Sequence, residues 1–179
     1  MTGRPSMRPH DTRRRSTRRE CRRFVRDLDL PPAGSIRELL PAIEARSGYS
    51  IRLERAPVNS GPGLCGMWIR TVEGIDYIFV HEETSRAHQD HIIAHEAAHI
   101  LRNHQGSGAL SDVNPVTDRI VTTLDPAVVK VMLGRSDYEY QDEIEAELIA
   151  SHLQQHIHHP RRHSGGGDRI AETLLRHRK

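Results

Sequence analysis

The sequence predicts an α+β protein in which a small three-stranded antiparallel sheet packs on a helical bundle. Three observations lead there. Apolar residues alternate with polar ones between residues 49 and 80, the period of strands. On either side, apolar residues recur at three- and four-residue spacing, the period of helices. One of those helices carries His95-Glu96-Ala97-Ala98-His99, two imidazoles one turn apart with a carboxylate beside the first.

Composition narrows the class. At 179 residues the chain fits one domain, and with 36% hydrophobic but only 4% aromatic residues its core must be aliphatic. No run approaches the roughly 18 apolar residues of a membrane span. The basic N-terminus lacks the apolar segment of a secretory signal. Cys21 and Cys65 are too few for a disulfide framework and sit in no metal-ligand spacing, so a reducing cytoplasm is expected. Charge is uneven: residues 1–34 hold ten arginines against four acids, whereas residues 35–179 hold sixteen basic and twenty acidic groups.

That asymmetry sets the first boundary. Residues 1–34 read as a basic, partly disordered arm, with no periodicity before residue 13. Arg13 to Leu28 has helical spacing, but only Phe24, Val25 and Leu28 offer packing. No aromatic or base-reading pattern accompanies the arginines, so a solvated leader helix is expected and direct nucleic-acid binding is not. Pro31-Pro32-Ala33-Gly34 breaks the chain. Ser35-Ile36-Arg37-Glu38 is a capping box opening a helix with Ile36, Leu39, Leu40 and Ile43, which Pro41 should kink or shorten and Gly48 should end.

Tyr49 to Arg55, Cys65 to Val72 and Ile75 to Val80 are the expected strands, with a hairpin turn at Glu73-Gly74. Trp68 and Tyr77 are expected to pack the sheet. Thr84 or Ser85 caps the histidine helix, and Gly106-Ser107-Gly108 follows its end. Asp125 to Gly134 reads as a short helix, with an Asp cap, Pro in the first turn and Gly at the stop. Gln141 to Leu153 is a helix with Glu143, Glu147 and Ala150 on one face and Ile144 and Leu148 turned to the core. Residues 156–179 read as a flexible His/Gly-rich tail with room for a short helix at Asp168 to Lys179.

With 13 histidines and 13 glutamates in the chain, random placement produces roughly 0.07 His-Glu-x-x-His matches, so context must carry the reading. It does. His88, His91, His99 and Arg102 share the side of His95, while Ile93, Ala94, Ala97, Ile100 and Leu101 form an opposite apolar stripe. Catalytic zinc takes three protein ligands and keeps a position for water. His95 and His99 are two; Glu143 is the expected third, because Glu145 faces away and Asp142 is shorter. Glu147, one turn on, is placed to hydrogen-bond the free nitrogen of a ligand histidine. Glu96 is the expected general base in hydrolysis of a peptide bond. Tyr138, Tyr140 and His104 are the candidates for oxyanion help. Two histidines and a carboxylate also suit Mn2+ or Fe2+.

The helix, the small sheet, His-Glu-x-x-His and the later Glu143-Ile144-Glu145-Ala146-Glu147 resemble the ImmA/IrrE metallopeptidases, a gluzincin-like group. The likeness covers roughly residues 35–155 and implies a zincin-like metallopeptidase domain there. By this resemblance Glu143 matches the third zinc ligand and Glu96 the general base. Glu147 stands where the family usually has Asn or Asp, Ile149-Ala150 replaces a Phe-Ala pair, and the gap between the motifs is long. The resemblance implies a regulatory protease cleaving a protein such as a helix-turn-helix repressor, or else a toxin–antitoxin component that binds without cleaving.

Overall fold

The computed structural model describes residues 9–56, 66–104, 129–133 and 140–159. In chain order they form α1 (Pro9–Asp27), α2 (Ile36–Ser47), β1 (Ser50–Arg55), β2 (Gly66–Thr71), β3 (Ile75–Val80), α3 (Arg86–Arg102), β4 (Val129–Leu133) and α4 (Tyr140–His158). The class is the expected α+β. The sheet differs from the expected one: it has four strands in the order β1-β3-β2-β4 and is mixed.

Two corrections follow from the pairing. β2 and β3 form the expected antiparallel hairpin, and Gly74, at φ 80°, makes the turn with its N–H on the Thr71 carbonyl. β1, however, runs parallel to β3. A parallel pair needs a long crossover, and residues 56–74, β2 included, provide it. The second correction concerns Asp125–Gly134, expected as a short helix. Val129–Leu133 is instead a strand antiparallel to β2, with a register irregularity at Arg70/Thr71. A Val-Lys-Val-Met-Leu segment suits a pleated edge, and pairing there satisfies backbone groups that β2 would otherwise leave open. Residues 125–128 and 134 lie outside the described residues, as do Gly106–Gly108 and Asp168–Lys179.

α2 shows local signals obeyed and one overridden. Ser35 caps it, accepting from the Glu38 N–H, while the Glu38 carboxylate accepts from Gly34 N–H at 2.9 Å. Gly48, at φ 78°, closes it by donating to the Glu44 carbonyl. Pro41 does not shorten it: the helix continues to Ser47, buried along Ile36, Leu39, Leu40 and Ile43. Packing of that stripe outweighs the single backbone bond a proline removes.

The core lies between the sheet and the helices. Trp68, Ile78 and Val80 point from the sheet into a cluster with Leu39 and Ile43 of α2, Ile92, Ile93 and Ala97 of α3, and Ile149 and Leu153 of α4. Met67, Ile69 and Phe79 form a second cluster on the other face, with Tyr77 packed against it. Trp68 and Tyr77 thus pack the sheet as expected. In α4 the buried residues are Ala146, Ile149, Ala150 and Leu153, whereas Ile144 and Leu148 are only half-buried. The spacing i, i+3, i+4, i+7 puts the alanines against α3, and small side chains let two helix axes approach.

α1 joins this body. Its Cys21 and Val25 are buried in the main cluster, and Phe24 and Leu28 pack beside them. Burial, with the Glu145 carboxylate nearby, raises the Cys21 thiol to about 11, so it behaves as a small apolar side chain. Arg46 of α2 donates to the carbonyls of Leu28 and Asp29, which fixes the connection after α1. His156, Ile157 and His158, expected to begin a flexible tail, form the last turn of α4, and His156 Nε2 lies 2.9 Å from the Pro31 carbonyl. Among the described residues no helix is long and apolar enough to cross a membrane.

Candidate metal centre

α3 begins at Ser85, whose side chain accepts from the His88 N–H, and stops at Asn103 in the left-handed conformation at φ 49°. From Ile92 to Ile100 every residue is buried. On the histidine face His95 and His99 are buried, whereas His88 and His91 are half-buried and Arg102 is exposed. His99 is fully buried and His95 nearly so, at 0% and 8% exposure.

Three of the expected residues meet. Nε2 of His95 and Nε2 of His99 face each other at 3.1 Å. The Glu143 carboxylate reaches across from the first turn of α4, with Oε1 at 3.3 Å from His99 Nε2 and Oε2 at 3.6 Å from His95 Nε2. Donors bound tetrahedrally to one ion at zinc-like lengths stand about 3.3–3.4 Å apart. The observed separations bracket that value, so His95, His99 and Glu143 form a group that could hold a metal ion. The electrostatics fit too. Burial, followed by the neighbouring His95 and His104 rings, lowers His99 to about 2, which keeps its ring in the neutral form a metal requires.

The partners of this group were only partly foreseen. Glu147, expected to support a ligand histidine, has Oε2 at 3.2 Å from His91 Nε2 and at 3.7 Å from His95 Nδ1. It hydrogen-bonds His91, and the His95 distance is too long for a direct bond. His104 takes the supporting position: its Nδ1 lies 3.0 Å from His99 Nδ1, on the side of that ring away from Glu143. Its other nitrogen lies 3.4 Å from Glu145 Oε2, and Glu145 in turn accepts from Arg102 Nε at 2.8 Å. His104 is thus engaged behind His99, not placed for oxyanion help. Tyr140 is an exposed residue at the start of α4, and Tyr138 lies outside the described residues.

Glu96 is buried and stands outside the ligand group. Its surroundings include Gly66 at the start of β2, where an added Cβ would collide with Ile92 Cγ2 and lie 3.1 Å from Glu96 Oε1. Glycine here lets the strand approach the middle of α3. The other unforeseen feature is a buried ion pair. Arg70 of β2 donates from Nε and Nη2 to the two Asp76 oxygens of β3 at 2.7 and 2.8 Å, and Trp68 Nε1 donates to the same carboxylate at 2.9 Å. Arg70 Nη1 also donates to Asn103 Oδ1 at 2.7 Å. The sheet is thereby fastened to the residue that ends α3, immediately before His104. The hairpin register had contained the signal, since Arg70 and Asp76 are facing positions across Glu73-Gly74.

The buried neutral His99 has a consequence for pH. Its lowered folded-state value means that only the unfolded chain gains a proton as pH drops below 6.5, so stability is greatest above that pH and falls on acidification. For the metal-free protein we expect a loss of about 2 kcal/mol between about pH 7.5 and pH 5 from this residue. Urea unfolding of chelator-treated protein at both values measures it, and equal stabilities would contradict it.

Fold and site together define an α+β protein in which two buried histidines and a half-buried carboxylate form a group that could hold a metal ion. No family model, curated protein or solved structure matches the chain.

Proposed function

We propose that the chain is a zinc-dependent metallo-endopeptidase, with His95, His99 and Glu143 as metal ligands and Glu96 as general base. The observation that supports it most is the convergence of two Nε2 atoms 3.1 Å apart with a carboxylate 3.3 and 3.6 Å away. Zinc held there supplies a Lewis acid that polarises a carbonyl and brings the pKa of water to about 7. Glu96 takes the proton of the attacking water on its carboxylate and delivers it to the leaving amine. His104 holds the His99 ring in orientation through Nδ1, the task of an outer partner. The motif resemblance favours a protein substrate such as a helix-turn-helix repressor, in a cytoplasmic setting. The same donors suit manganese or iron, and metal analysis of the purified protein distinguishes them.

The deep burial of both histidines favours a second reading. There the ion clamps α3 to α4 and the protein regulates by binding, without cleavage. Both readings require the ion. Purified protein should carry one divalent ion per chain. Glu143→Ala should weaken binding more than the roughly 10–100-fold typical of losing an outer partner. Full occupancy of that variant at limiting metal would remove the site from consideration.

A further inference from the structure

We propose that the exposed face of α1 binds the phosphate backbone of a nucleic-acid duplex, independently of the metal centre. The sequence alone favours a solvated leader helix; the structure adds an anchor and a geometry. α1 carries eight arginines against three acids. Its Cys21 and Val25 are buried against the body, and the Arg102 guanidinium sits 5.0 Å from the Phe24 ring. The helix is thus held by one side, and six of its arginines (Arg15, Arg18, Arg19, Arg22, Arg23 and Arg26) fall away from it.

Arg15, Arg19, Arg22 and Arg26 are all exposed and fall within an arc of about 60°, flanked by exposed Arg18 and Arg23. The four-residue spine is about 16 Å long, with a guanidinium every 4.5–6 Å. A merely solvated face would alternate signs at i, i+4. Here Arg15–Arg19, Arg18–Arg22, Arg19–Arg23 and Arg22–Arg26 are all like-charge pairs at that spacing, which opposes helix formation. Asp27 engages Arg23 and Arg26 at the C-terminal end and offsets part of this repulsion. A repeating anion laid along the stripe relieves it.

The surroundings choose among anions. A membrane-surface helix needs an apolar face to insert, and the apolar face of α1 is already covered by the protein. Single strands need aromatic platforms; Phe24, the one aromatic residue of α1, is packed at the core. Guanidinium forks match phosphate oxygens in pairs, and a duplex repeats them in a rigid array that a helix can follow along a groove. Contacts made to phosphates in this way are independent of base sequence.

The test is fluorescence anisotropy of the full chain with a duplex of about 30 base pairs, titrated between about 50 and 200 mM salt. Four to six phosphate contacts predict a log–log salt slope of about −4 to −5. Changing Arg15, Arg19, Arg22 and Arg26 together to Gln should flatten it by about 3.6, with helicity retained by circular dichroism. The same four changed to Lys should keep most of the slope. DNA and RNA duplexes are run as separate arms, and binding of either supports the proposal and names its source. A wild-type slope near zero, unchanged binding by the Gln variant, or preference for phosphatidylserine vesicles or polyglutamate over both duplexes would overturn it.

Discussion

Glu96→Gln is expected to leave metal content unchanged while lowering peptide-bond cleavage by about 10²–10⁴-fold, the usual contribution of a general base. The two side chains have nearly the same shape, so the buried site beside Gly66 and Ile92 accommodates either. What changes is the proton chemistry: an amide cannot take a proton from water and return it to the departing amine. The ligand group does not include Glu96, so occupancy should stay at the wild-type level. Metal analysis and cleavage of an unstructured protein substrate, measured on the same preparation, separate the two effects. Cleavage at the wild-type rate with full metal would end the peptidase proposal. An unchanged biological effect without cleavage would instead favour the clamp reading.

Asp76→Ala should lower the stability of the protein by about 3–5 kcal/mol, the cost of leaving one member of a buried ion pair uncompensated. Against a total of about 5–15 kcal/mol that is a large share. Arg70 is only 4% exposed and Asp76 is fully buried, so water cannot replace the lost carboxylate without opening the sheet. Two further groups suffer. Trp68 Nε1 loses its acceptor, and Arg70, no longer held by two bonds, loses its grip on Asn103. Since Asn103 precedes His104, the support behind His99 should loosen and metal affinity fall as well. Urea unfolding with Trp68 fluorescence reports the first effect, and a competitive metal titration the second. Replacing Arg70 by Met and Asp76 by Leu together should recover most of the stability, because no charge is then stranded. A single Asp76→Ala variant as stable as the parent would show that the pair contributes no net structure.

Legibility in the sequence followed the distance between interacting residues. His95 and His99 were readable because four residues of helix place two imidazoles together whatever surrounds them. The capping box at Ser35–Glu38, the stop at Gly48 and the Glu73-Gly74 turn were readable for the same reason: each is settled by backbone geometry within a few residues. Glu143 could be chosen among its neighbours by reach and helical face, yet its meeting with His99 depends on how α4 lies across α3. Glu147 shows the limit of that method. One turn further along, it falls beside His91 at 3.2 Å, and His95 stays 3.7 Å away.

Tertiary packing decided the rest. The parallel pairing of β1 and the recruitment of β4 depend on edges that exist only once the hairpin has formed. α1 read as a solvated arm because its apolar positions are few, and they suffice once α4 presents a surface to Cys21 and Val25.

From its own residues the chain determined a helical turn that sets two imidazoles side by side, the kind of layers around it and the ends of its regular segments. Those properties come from local backbone preference and from the period of apolar side chains. Folding alone decided that a carboxylate 44 positions after His99 would face it, and that a lone histidine past the helix end would support it from behind. It also decided that Arg70 and Asp76 would be sealed together inside. Such contacts depend on which surfaces can be buried simultaneously, and that is a property of the assembled body, not of any one segment.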